Sequence, residues 1–139
     1  MFGGFYFYKS LTQEERDAIL LFIQADILFE GPNLIFSTGY GPDLNPNALS
    51  EQMTATIEAF SNEHGVQINP LPATGSEQLL FLYKGYTTLA LWGIDPINFL
   101  NFLHSNRDCY RHISARFPGM TERTMNTYAL LLEKILLKR

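Results

Sequence analysis

The sequence predicts an α+β (mixed α/β) domain: a small central sheet of about four to five strands flanked by about four helices. Three observations lead there. Short runs of aromatic and β-branched residues alternate with longer segments in which apolar residues recur every three or four positions. Gly and Pro punctuate those runs at 31–32, 39–46, 69–76 and 118–119. The chain has 139 residues, 46% hydrophobic and 17% charged, which is enough for one core and predicts a single domain over 1–139. The expected order is β-α-β-α-β-β-β-α-α, with a central hairpin (77–83, 86–92).

The elements follow in turn. Phe5-Tyr6-Phe7-Tyr8 alternates with period two, which predicts a strand with Phe5 and Phe7 inward and the Tyr6 and Tyr8 hydroxyls toward water. Ser10 with Gln13 three residues later has capping-box spacing, and Glu14, Glu15 and Asp17 suit the positive end of a helix dipole. That helix is expected to run to about Phe29, where Gly31-Pro32 stops it. Residues 33–38 read as a buried strand. Asn45 before Pro46 predicts the N-cap of a second helix over 46–64, with Leu49, Met53, Ile57 and Phe60 inward and Gly65 at its C-cap. Val66 to Ile68 reads as a short strand. Segments 77–83 and 86–92 are apolar on both faces, and Lys84-Gly85 between them suggests a tight turn. Asp95-Pro96 opens a third helix with Phe99, Leu103, Tyr110, Ile113 and Phe117 on one stripe. Thr121 caps a last helix with Met125, Tyr128, Ala129, Leu132, Ile135 and Leu136 on one face.

The net charge is −4, which argues against a generic nucleic-acid binder. The charge is segregated. Residues 1–100 hold Lys9, Arg16 and Lys84 against eleven acids, while 101–139 hold seven basic residues against three acids. Lys9 follows the first apolar residues rather than preceding them, so the start is not expected to be a signal peptide. With Cys109 as the lone cysteine, a cytoplasmic location is expected. The longest uncharged apolar stretches, 18–25 and 85–94, fall short of the ~20 residues that span a bilayer, so no membrane association is expected.

Motifs for chemistry are sparse. The loop from Gly39 to Pro46 follows a strand and precedes a helix, where phosphate-cradling loops sit. It lacks the third glycine and the lysine, and Asp43 would repel phosphate. His104, Asp108 and His112 recur every four residues along one helix face. The two histidines are then ~12 Å apart, too far to share one metal ion. Cys109 and His112 are spaced as a thiolate–imidazole pair with Arg107 and Arg111 alongside, but mid-helix and without oxyanion donors. No cofactor or metal is expected and no catalytic residue is assigned. A small enzyme or ligand-binding domain using the 39–46 loop or the His104/Asp108/Cys109/His112 face is the alternative. A nucleic-acid-associated regulator using the basic C-terminal helices is the second.

The aromatic content points elsewhere. Eleven Phe, seven Tyr and one Trp are many for so short a chain. Phe2, Tyr6, Tyr8, Tyr40, Tyr86 and Trp92 are the candidates for an exposed cluster, and exposed aromatics anchor interfaces. The favoured expectation is a small acidic protein-binding domain that occludes a partner's surface: an inhibitor or immunity protein, a phage-borne anti-defence protein, or a chaperone. Tyr40, Asp43, Glu51, Glu58, Tyr6 and Tyr8 are its expected contacts, with another protein, basic in character, as the partner. A homodimer through the 121–138 helix is a further expectation.

Overall fold

The computed structural model describes residues 2–26, 32–38, 48–71, 77–94 and 110–137. In chain order its elements are α1 (Phe2–Ser10), α2 (Gln13–Asp17), β1 (Phe22–Ala25), β2 (Asn33–Ser37), α3 (Ala48–His64), β3 (Ile68–Pro70), α4 (Glu77–Tyr83), β4 (Thr88–Ile94), α5 (Tyr110–Arg116) and α6 (Met120–Leu137). The fold class is α+β. Its four strands form one mixed sheet in the order β1-β4-β2-β3. β4 runs parallel to β1 and antiparallel to β2, and β2 runs parallel to β3.

Alternation along the strands sorts the two faces. Leu34, Phe36, Leu89 and Leu91 point one way. Met53, Ile57 and Phe60 of α3 and Tyr128, Leu131 and Ile135 of α6 close over them. Phe22, Ser37, Thr88, Ala90 and Trp92 point the other way by register. There α4 lies on the sheet, with Phe81 stacked on Phe22 at 3.8 Å between ring centroids. α1 packs outside α4, with Tyr8 edge-on to Phe81 at 5.9 Å and to Tyr86 at 6.1 Å. The layers therefore run α3 and α6, sheet, α4, α1. β4 is central and buried over six of its seven residues, as expected of a strand apolar on both faces.

The expected order is corrected in three places. The strand at Phe5–Tyr8 is instead helix α1. Its C-terminal carbonyls are held by side chains: Ser10 Oγ, at the helix end, donates to Phe7 O, and the Arg16 guanidinium donates from α2 to Tyr8 O and Lys9 O. Ser10 thus ends one helix rather than starting the next. Of the long helix expected from Ser10 to Phe29, only α2 is helical among the described residues, capped by Thr12 and Glu15 in a reciprocal capping box. After it, Phe22–Ala25 leaves the helix to pair with Thr88–Leu91. A run apolar on every side fits a buried strand as well as a buried helix, and the free edge of β4 decides between them.

The third correction is the hairpin. Segment 77–83 is helix α4, not a strand. Lys84-Gly85 is its C-cap: Tyr86 N–H donates to Phe81 O and Gly85 N–H to Leu82 O, with Gly85 at φ 85°. Those two bonds make a Schellman motif, which ends a helix instead of joining strands. Gly65 (φ 63°) ends α3 as the sequence predicts. The third helix is described only over Tyr110–Arg116, and its expected stretch 95–109 lies outside the described residues.

Candidate protein-interaction surfaces

α1 carries an aromatic ridge. Phe5, Tyr6 and Phe7 are consecutive, so on a helix they fan across about 200° of the circumference and cannot all face α4. Gly4 marks the contacting side: a Cβ there would meet Glu77 Cγ at 2.8 Å. Phe5, Tyr6 and Phe7 consequently stay 41%, 69% and 54% exposed. Phe5 and Tyr6 meet edge to face at 6.1 Å. Tyr8 is half-buried, and the Tyr86 phenol is held above its ordinary pKa range, first by its hydrogen bond to Tyr8 and then by burial.

All three cations of the first hundred residues converge on this helix. Lys9 Nζ lies 4.4 Å from the Phe5 ring centroid, and Arg16 and Lys84 lie 4.8 Å and 5.7 Å from that of Tyr8. Such placements are attractive on the negative faces of the rings. Two of the three carboxylates of α2 are engaged locally. Glu15 accepts from Thr12 N–H and Thr12 Oγ1, bonds that hold its carboxyl below the usual range. Asp17 accepts from Gln13 Nε2. The ridge is thus an apolar centre with a rim of both signs, the make-up of a protein–protein interface.

The expected contact residues do not form one patch. Tyr6 and Tyr8 are on α1. Glu51 and Glu58 are exposed on α3, seven residues apart on one helical side, beyond the opposite face of the sheet. Tyr40 and Asp43, with the 39–46 loop, lie outside the described residues, as do His104, Arg107, Asp108 and Cys109. On α5, Arg111 is exposed and His112 half-buried. Among the described residues no three His, Cys, Asp or Glu side chains are placed to hold a metal ion. Of the aromatic candidates, Tyr86 is half-buried and Trp92 is core. Phe5 and Phe7 were missed as surface residues because strand alternation turned them inward.

A second exposed apolar surface belongs to α6, whose Met125, Leu130, Leu136 and Leu137 are 46–74% exposed. Leu130 and Leu137 border a cleft of about 360 Å³ against Phe60 and His64 of α3. A Glu63–Lys134 ion pair bridges α3 and α6 there, and the Phe60 and His64 rings lie 4.2 Å apart. No helix among the described residues is long and apolar enough to cross a membrane.

No protein-family model matches this sequence, and no curated protein sequence matches it. Among solved structures the chain is similar to BSAP, a zinc aminopeptidase from Bacillus subtilis, with a TM-score of 0.64 at 14% identity. The likeness is one of fold. It covers 96% of this chain and 32% of the aminopeptidase chain, so this chain spans about a third of that protein's length.

Proposed function

We propose that this chain is a protein-binding domain that acts in the cytosol by covering a partner's surface, with the α1 ridge as its docking face. One observation carries this: three consecutive aromatic side chains, Phe5, Tyr6 and Phe7, stand exposed on a helix that is itself anchored through Tyr8 and Gly4. Soluble proteins seldom leave contiguous aromatic surface uncovered, and rigid aromatics lose little entropy on binding. The mixed-sign rim formed by Lys9, Lys84 and the α2 carboxylates supplies orientation rather than a demand for a basic partner. Inhibitors, immunity proteins and chaperones are the forms such a domain takes.

The test is capture from the native host with the whole chain as bait, read by mass spectrometry and by absorbance at 260 nm. One stoichiometric protein, lost when Tyr6 and Phe7 are both changed to Ala, is the expected result. A preparation that instead carries nucleic acid or a metabolite, with no protein partner, would overturn the proposal. Glu51 and Glu58 favour a second docking face, on α3, for a basic partner. Capture that needs those two acids and ignores Tyr6 would replace the first reading by the second.

A further inference from the structure

The outer side of α6 has the spacing of a helix-pairing seam. The helix turns Thr124, Tyr128, Leu131 and Ile135 into the core. Met125, Ala129, Leu132 and Leu136 lie one strip further round, at steps of four, three and four residues. Met125, Ala129 and Leu136 are exposed, and Leu132 is half-buried against the core. Steps of four and three, free of charge, are the a/d pattern of a helix–helix interface. The last helix therefore buries only one of its two apolar strips.

We infer that this strip is the seat of a second copy of the chain, in an antiparallel α6–α6 pair about a two-fold axis between residues 130 and 131. A two-fold contact requires one patch to complement itself. In this register Met125 meets Leu136 of the second copy and Ala129 meets Leu132 of the second copy, so each layer sets a smaller or more flexible side chain against a leucine. A parallel pair would set Ala129 against Ala129 and leave a gap at the centre. Flanking the strip on its solvent side are Asn126 and Glu133, both exposed. The antiparallel register brings the Asn126 amide, a donor, beside the Glu133 carboxylate of the second copy, and no like charges face each other.

The layer order gives the pair a consequence, which rests on the docking role proposed for α1. α6 covers one face of the sheet, and α1 lies beyond α4 on the other. Pairing through α6 leaves both α1 ridges free and, because the strip lies about 110° round the helix from its core side, sets them on the same side of the dimer, so the dimer is a bivalent binder. Engaging two sites at once raises avidity by ~10² to 10⁴ when the geometry fits.

The pairing is tested without any partner, so its failure is distinct from failure of the docking proposal. Light scattering on the purified chain over a wide concentration range is expected to give twice 15.9 kDa at high concentration, falling on dilution. Ala129→Glu, at the centre of the strip, is expected to weaken self-association at least about 100-fold with unchanged circular dichroism. Leu130→Glu, on the strip bordering the α3 cleft, is expected to leave the dimer intact. Register is read by mixing Met125→Cys with Leu136→Cys chains and oxidising, the linked peptides being identified by mass spectrometry against wild type with its native Cys109. The expected link joins 125 to 136. Two 125 positions sit ~16 Å apart along the axis in this register, beyond disulfide reach. A monomer at every concentration, a dimer that survives Ala129→Glu, or a 125–125 link would each overturn the pairing.

Discussion

Gln78 shows what one buried polar side chain does for this sheet. It has no exposed surface. Its Nε2 donates to Ser37 O and Thr88 Oγ1, each at 2.9 Å, and its backbone N–H donates to Gln24 Oε1. One residue of α4 therefore ties down β1, β2 and β4. Gln78→Ala removes the two side-chain bonds and opens a cavity beside them while the backbone bond to Gln24 stays, and is expected to lower unfolding free energy by about 3 kcal/mol in urea titration. Tyr128 plays the matching part from α6: its hydroxyl accepts from Ile35 N–H and bonds the carbonyls of Ile35 and Trp92. Burial, opposed by those backbone bonds, pushes its pKa above the ordinary tyrosine range. The folded state then keeps its proton where the unfolded chain loses it. Stability from this group is full below about pH 10 and falls as pH rises further, by at most about 1.4 kcal/mol per pH unit. Tyr128→Phe is expected to cost about 2 kcal/mol at neutral pH and to flatten that alkaline fall. Denaturant melts of both proteins from pH 8 to 11 check the sign.

At the level of elements, legibility depended on whether period and punctuation agreed. α3 and β2 were readable because apolar spacing, the Gly65 cap and the flanking breaks all pointed the same way. α4 was not. Leu79, Phe81 and Tyr83 alternate like a strand, and seven residues are too few to separate period 2 from 3.6 when both sides are apolar. Two signals were there: Gln78 in a segment read as a doubly buried strand, and Lys rather than Asn or Asp before Gly85. Gly85 is now a cap at positive φ with open space where a Cβ would sit. Gly85→Ala is therefore expected to cost only the conformational term, about 1 kcal/mol, and Gly85→Asn less. Thermal melts of the two variants separate a cap from a hairpin turn, where the change would also shift strand register. α1 was unreadable locally because its helix rests on α4, Arg16 and Ser10 rather than on its own propensity. The same error hid half of the candidate site: Tyr6 was named from the sequence, while Phe5 and Phe7 were assigned to the core.

At the scale of the molecule, the charged side chains among the described residues do not sort onto two opposed faces. The cations of the first hundred residues gather on α1. In the C-terminal part Lys134 pairs with Glu63 of α3, and the Arg123 guanidinium donates to Pro118 O. The exposed apolar surface divides instead. Of ten large apolar side chains exposed among the described residues, three are on α1 and four on α6, on opposite sides of the sheet. That division is the basis for assigning partner docking to one helix and self-pairing to the other. The central claim is that the aromatic ridge, and not the acidic side of α3, is the docking face. The most direct test compares capture of the same partner by wild type, by Tyr6→Ala/Phe7→Ala and by Glu51→Lys/Glu58→Lys. Both double variants change exposed side chains, so melting temperatures should stay close to wild type. We predict that the α1 variant loses at least about 30-fold in affinity while the α3 variant stays within a few-fold. Loss by the α3 variant with the α1 variant unchanged would contradict the account.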